Sequence, residues 1–470
     1  MKFLGLLLLI AVFAWVPCFA QSPIYMGNPS DAPVGYLGSG DDAQKSAAPA
    51  VQSQNTTPAH PGTTVLLRIT VKSAEAIALK NNPAISVAML NALASHQVAR
   101  EARSSLWPST AADITGVESQ INSRITAGGL NNPIIYDRAA VGATVSQLIT
   151  DFGHTTNLAA SARLHAQAED RNSVATKEQI LLAVDQAFYS ALQSSAVLKV
   201  AQQTVDSRQL LSDQVGALTK SKLKSDIDLS FANVNLAQAK LLQLDAKNNN
   251  QAAMANLSDV LGFSSLQNVE LIEDTTPSTA PPEGVDQLIA EALDDRPEIQ
   301  ALEFESRSAQ KLHAAQRDSE LPTISALGAI GEAPVRNDHL ASWYGAIGVN
   351  VQIPIFNGFL FSAKTHEADL RAQAANQRVL DMRNRISRDV RTGWLEATTA
   401  YERVSVNQQL LDQANQALSL AQTRYKLGLS SIVELSQAQL QQTQAEIGSV
   451  TASYEYRLAL SVLRYQTTGI

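Results

Sequence analysis

Cysteine is almost missing: the only one in 470 residues is Cys18, so no disulfide can form within the chain. It lies in an N-terminal stretch with Lys2, an apolar run from Phe3 to Val16, then Pro17 and Cys18-Phe19-Ala20. A short basic region, an apolar stretch and a small-x-small site read as a secretory signal cut after Ala20. Trp15, Val16 and Pro17 are not the small residues that lipidation of Cys18 would need. An exported chain without disulfides must draw its stability from packing, assembly or membrane insertion. A second long apolar run is also missing. A membrane helix needs ~20 such residues, so a membrane-inserted form of this chain would have to be a β-barrel. Basic excess is missing too: 36 Lys and Arg face 44 Asp and Glu, for a net charge of −8, which argues against a nucleic-acid partner. Enzyme signatures are likewise lacking. The seven histidines are scattered, His366-Glu367 lacks the second histidine of a zinc helix, and there is no phosphate-binding glycine loop. The expectation is a protein that is not an enzyme, with no catalytic residue, metal site or cofactor.

What is present is a repeat. Pro83 and Pro297 lie 214 positions apart, as do Leu79 and Leu293, Ile85 and Ile299, Arg103 and Arg317, and Pro108 and Pro322. Further on, the offset drops to 205 or 206: Gln147 and Gly153 match Gln352 and Gly358, Phe188 matches Trp394, and Asp228-Leu229-Ser230 matches Glu434-Leu435-Ser436. Such self-similarity predicts two copies of one supersecondary unit.

Residues 21–65 are rich in Pro, Gly, Ser, Thr and Gln, a composition that cannot offset its ordering entropy, and they read as a disordered tail. The first repeat spans 66–262. It opens with a helical pattern from Lys72 to Ser104, interrupted by Pro83 and stopped by Trp107-Pro108. Strands are predicted around Thr110 to Glu118 and Ala139 to Leu148, where Val141, Ala143 and Val145 alternate with Gly142, Thr144 and Ser146. Residues 263–284, with Pro277, Pro281 and Pro282, read as a linker. The second repeat spans 285–470. Around residues 344 to 353, Ile347, Val349, Val351 and Ile353 share one face, with Ala346, Gly348, Asn350 and Gln352 on the other. That alternation suits a barrel wall between lipid and water, and equally a half-buried strand of a soluble sheet.

After Gly153 and Gly358 the pattern is helical as far as about Leu218 and Leu427, roughly 100 Å each. Val390, Ala397, Val404, Leu411, Leu418 and Tyr425 keep a seven-residue step, as do Val184, Ala191, Leu198 and Val205. This predicts a left-handed supercoil. Helices from about Ile227 to Leu261 and Ile432 to Leu463 complete two hairpins, with tips at Thr219–Asp226 and Lys426–Ser431. Gly428 suits the second tip, whereas Lys222 stands at the matching place in the first.

Over residues 70–470 the chain resembles the TolC family of outer-membrane channel proteins. The resemblance rests on three features within the duplicated order. The junctions are Ser146-Gln147-Leu148 to Phe152-Gly153, and Val351-Gln352-Ile353-Pro354-Ile355-Phe356-Asn357-Gly358. The second tip reads Tyr425-Lys426-Leu427-Gly428, followed by Ser431-Ile432-Val433-Glu434-Leu435. Leu321-Pro322 precedes a strand. The resemblance implies a mainly α fold with a small β part, built of long helical hairpins that form an α-barrel. Three chains with four strands each would give a 12-stranded outer-membrane β-barrel. It further implies a homotrimer in the outer membrane, in contact with its lipid and reaching into the periplasm. Its partners would be a periplasmic adaptor and an inner-membrane transporter, with the tube as passive exit duct for efflux or type I secretion. The other reading of the helical pattern is a periplasmic coiled-coil adaptor or scaffold.

By position in the resemblance, Tyr425 and Asp228 match a gating tyrosine and its carboxylate partner, and Glu434 adds an acid at the pore mouth. Where the family often has an arginine, this chain has Ser430. Lys220, Lys222 and Lys224 crowd the first tip and could pair instead with Asp226, Asp228 or Glu434. The adaptor-docking surface would comprise Lys222, Leu223 and Ser225 at one tip and Gly428, Leu429 and Ser430 at the other. On the residues alone, Tyr425 also reads as the end of a heptad seam and the lysines as a solvated face, and Glu434 equally as an exposed helix-start acid stabilised by the dipole.

Overall fold

Local punctuation divides the chain into its elements. The computed structural model describes residues 67–117, 138–263, 269–273, 279–282, 284–333 and 341–467. The expected signal, the 21–65 tail and the loop between the first two long strands lie outside the described residues. Thr70 caps α1 (Val71–Asn81) through a capping box with Ser73. Asn82 then accepts a hydrogen bond from Ala84 N and caps α2 (Pro83–Ser104). The expected interruption at Pro83 is thus a clean break between two helices, with proline at the first helical position where its missing N–H costs nothing. Arg296 stands at the same kind of break between α5 (Val285–Asp295) and α6 (Pro297–Asp318).

Four strands form one antiparallel sheet in the order β2-β3-β5-β6: β2 (Ser109–Val117), β3 (Arg138–Thr150), β5 (Thr323–Glu332) and β6 (Trp343–Gln352). Their register places Ile114 opposite Val141, Ala143 opposite Ile330, and Gly328 opposite Ile347. Period-two alternation then lines these residues, with Val349 and Val351, along one face. Thr144, Ser146, Ser325, Asn350 and Gln352 fall on the other. Among the described residues nothing covers much of the apolar face: Ile114 is 87% exposed and Ile347 94%. Both β2 and β6 are open edges among the described residues.

A second, two-stranded parallel sheet pairs β1 (Leu67–Ile69) with β4 (Val269–Leu271). The segment 263–284, expected as a linker, therefore contains a strand. Three residues with a partner 202 positions away leave no periodic pattern to read.

The long helices α3 (His154–Lys220) and α7 (Leu360–Lys426) each have 67 residues, about 100 Å of helix. Each turns back into a shorter partner, α4 (Asp226–Val260) and α8 (Ile432–Thr467). The helix N-termini follow two consecutive left-handed residues: Phe152 and Gly153 in one case, Gly358 and Phe359 in the other. The N-caps Gly153 and Phe359 are 206 apart, so the offset of 205 between Gly153 and Gly358 pairs the wrong residues. Glycine occupies one of the two positive-φ positions at each junction, and phenylalanine the other.

Of the heptad residues, Val184, Ala191, Val390, Ala397 and Tyr425 are buried, and Leu198, Val205, Val404, Leu411 and Leu418 are half-buried. Val184, Ala191, Val390 and Ala397 are all at 0% exposure. Around Val184, Phe188 and Leu192 a core collects Ile69, Ala74 and Ala78 from the β1–α1 segment and Leu257 and Leu261 from the end of α4. Much of the buried surface elsewhere is alanine, which lets helix backbones approach closely but supplies little apolar area per residue. No helix among the described residues is long and apolar enough to cross a membrane.

Candidate functional site

The two hairpin tips have the same construction. At the first, Lys222 N bonds Thr219 O at 2.9 Å and Leu223 N bonds Leu218 O at 2.9 Å. At the second, Gly428 N bonds Tyr425 O at 3.1 Å and Leu429 N bonds Arg424 O at 2.8 Å. Each is a helix stop with a left-handed residue just past the end. Gly428 has φ +73° and Lys222 φ +60°, so the first tip makes the turn on a residue with a Cβ. The returning helices are capped by Ser225 and Ser431, whose hydroxyls accept from the N–H groups of Asp228 and Glu434.

Between the tips lies a small apolar cluster of Val215, Ala232, Ala421, Tyr425, Ile432 and Leu435. Above it Arg208, pulled down to about 10 by burial, donates to Gln439 O at 2.9 Å and Thr443 Oγ1 at 3.2 Å, tying α3 to α8. Asn235 Nδ2 donates to Ser436 Oγ at 2.6 Å, tying α4 to α8.

Tyr425 is 6% exposed, packed in that cluster as the last residue of the heptad seam. Lys224 Nζ lies 4.1 Å from its ring centroid, a cation–π contact. The phenol oxygen has no hydrogen-bond partner among the described residues. Burial, with the Asp228 carboxylate as a second cause, pushes the phenol above its ordinary range, so it stays a proton donor. Asp228 does not take that proton within the protomer. Its Oδ2 accepts from Ser225 N at 3.2 Å and Ser225 Oγ at 3.1 Å, completing a capping box. Ser-x-x-Asp at 225–228 is a readable capping signature, and it was the signal that Asp228 has a local task.

Glu434 meets Arg424, with Oε1 3.5 Å from Nη1 and both side chains well exposed. Arg424 was not singled out from the sequence, yet it supplies the charge that Ser430 does not. The pairing of Lys220, Lys222 or Lys224 with tip acids is absent from the ion pairs of the described residues. The reason is local: Asp228 is turned onto its own helix, Glu434 is taken by Arg424, and Lys224 covers the tyrosine. Lys222 is exposed at the tip. Leu223 and Leu429, 206 apart, stand 70% and 66% exposed at matching places. The Ser430 hydroxyl is buried without a partner. Each tip thus presents a leucine outward, and at the second tip it stands beside the Tyr425 and Ser430 hydroxyls, which find no partner among the described residues.

A family model described as outer membrane efflux protein matches residues 76–263 and 288–467. Outer membrane protein OprJ of Pseudomonas aeruginosa is 23% identical over 399 residues, covering 82% of this chain and 81% of that protein. Outer membrane efflux protein BepC of Brucella suis is 22% identical over 334 residues, covering 68% and 70%. The solved structure of the Campylobacter jejuni CmeC outer membrane channel superposes with a TM-score of 0.76 at 18% identity, over 85% of each chain.

Proposed function

Since the chain belongs to the outer membrane efflux protein family and is an outer-membrane channel, we propose that it is the exit duct of a tripartite assembly. In this reading it is a homotrimer that conducts substrate passively from an inner-membrane transporter, through a periplasmic adaptor, to the outside. The observation that carries the reading is the four-stranded sheet, with one apolar face largely exposed and two open edges among the described residues. An apolar face of this extent requires a cover, and open edges are pairing sites. Three copies joined β6 to β2 remove every edge and turn the Ile114–Ile347 face to lipid. The Ser, Thr and Asn face then lines water. Strands of 9 to 13 residues suit a bilayer crossing at a tilt.

The long hairpins would continue the barrel into the periplasm as an α-barrel, with residues 66–262 and 285–470 as its two quasi-equivalent repeats. The exposed Leu223 and Leu429, framed by Lys222, Ser225, Gly428 and Ser430, would meet the adaptor. Two tips per chain and three chains present six similar docking places. Tyr425 is a donor without an acceptor in the protomer, and in a closed trimer the acceptor would come from a neighbouring hairpin.

The test is imaging of the detergent-solubilised protein as single particles, with conductance in planar bilayers. A threefold tube on the order of 100 Å below a short barrel, with conductance, is expected. A monomeric or compact particle that conducts nothing would refute the duct.

A further inference from the structure

We propose that His165, Glu169 and Glu305 form a binding site for a borderline divalent cation, best matched by Zn²⁺, that ties α3 to α6. Nothing in the sequence announces it, because the third ligand is 136 positions from the second. His165 and Glu169 are four residues apart on α3, so their side chains project from one face of the helix. Glu305 reaches them from α6. One imidazole nitrogen and two carboxylate oxygens all lie within 4.8 Å of one another. Zn²⁺ bonds of about 2.0–2.1 Å in a tetrahedron hold ligand atoms roughly 3.4 Å apart, so small side-chain rotations complete the set.

The backbone around the cluster is held firmly. One turn before His165, Ser161 Oγ donates to Ser308 O at 2.9 Å, and Ser308 Oγ donates to Ser161 O at 2.8 Å. Ala166, Ala168 and Ala301 are buried nearby, so the two helices run close together. Asn172 Nδ2 donates to Glu169 Oε1 at 3.2 Å and orients that carboxylate, the role an outer-shell partner plays at a metal.

Charge supports the same conclusion. Adjacent acids on both helices are already matched: Glu303 meets Arg307 and Arg383, and Asp170 meets His96. Glu169 and Glu305 appear in none of the ion pairs of the described residues, although their carboxylates face each other. Two like charges at this separation favour uptake of a cation. The donor set narrows the choice to borderline divalent ions. A site with imidazole and no sulfur does not suit Cu⁺, and a nitrogen ligand disfavours Ca²⁺ and Mg²⁺, which prefer all-oxygen shells. Three protein ligands with an exposed His165 leave a fourth position to water.

The experiment is titration of the untagged, chelator-stripped full-length protein in detergent with ZnCl₂ alone, followed by calorimetry and by melting. Wild type should bind one Zn²⁺ per chain and melt at a higher temperature when loaded. His165→Ala and Glu305→Gln should each lose tenfold or more in affinity and lose the melting shift, while their metal-free melting temperatures match wild type. Co²⁺ should give visible absorption in wild type and none in either variant. A wild type that takes up no Zn²⁺ overturns the site, as does unchanged affinity in both variants.

Discussion

Asp185→Asn should weaken a pH dependence in the attachment of α1 to α3. Asp185 is 2% exposed on α3, with one carboxylate oxygen lacking any partner. Glu75 of α1 lies against it. Burial, then the charge of Asp185 and a hydrogen bond between the two, push the Glu75 carboxyl up to about 7. Burial also raises Asp185, while Ser461, Glu75 and Arg464 pull it down. Arg464 and Ser461 approach from α8, and Lys72 lies on α1 itself. One proton shared between the buried Asp185 and the half-buried Glu75 holds α1 in place, and ionising both drives them apart.

An acid whose folded value is raised binds its proton more tightly in the folded state. The stabilisation is complete below the ordinary value of 4.5 and is lost as pH rises towards 7. At about 1.4 kcal/mol per unit, a sealed site would lose about 3 kcal/mol over that interval. Glu75 is only half-buried, and solvent screening reduces this to about 1–2 kcal/mol. Hydrogen exchange of the α1 amides, corrected for intrinsic rates, should therefore accelerate about tenfold between pH 5 and pH 8. In Asp185→Asn the amide can donate to an ionised Glu75, and the slope should shrink to the part that burial of Glu75 alone supplies. Flat protection in wild type would refute the shared proton, and so would an unchanged slope in the variant.

Lys222→Gly should stabilise the first tip by about 1 kcal/mol, because φ +60° strains a residue with a Cβ; slower hydrogen exchange at residues 219–225 checks it, and no change would mean the strain is absorbed. Tyr425→Phe combined with Asp228→Ala should raise closed-state conductance in bilayers if a neighbouring hairpin receives the phenol proton, and unchanged conductance would leave Tyr425 as core alone. Phe188→Ala should cost about 3–5 kcal/mol, since Phe188 is 1% exposed amid Val184, Leu257 and Ile69; denaturant melts measure it, and a loss below about 1 kcal/mol would contradict that packing.

The parts legible in sequence are those whose cause is local. Seven-residue spacing from Val390 to Tyr425 selects the buried face of α7 without reference to any partner, and alternation in residues 344–353 does the same for β6. Proline at 83 and 297 and glycine at 428 act through their own backbone. Asp228 was read for its place in the tip and not for Ser225 three residues before it, although that capping box was equally local.

What the sequence by itself determined is thus the inventory: short alternating strands, two helical hairpins of about 100 Å, their seams and their turning points. Tertiary structure alone decided which side chains meet. It paired Leu67–Ile69 with Val269–Leu271, gave Glu434 to Arg424 rather than to a lysine, and brought Glu305 to His165 and Glu75 to Asp185. Hydrogen-bonded turns and hydrophobic periods are satisfied within a few residues, so they leave a mark on the sequence. A contact between helices depends on how whole faces pack, and its two halves carry no shared pattern along the chain.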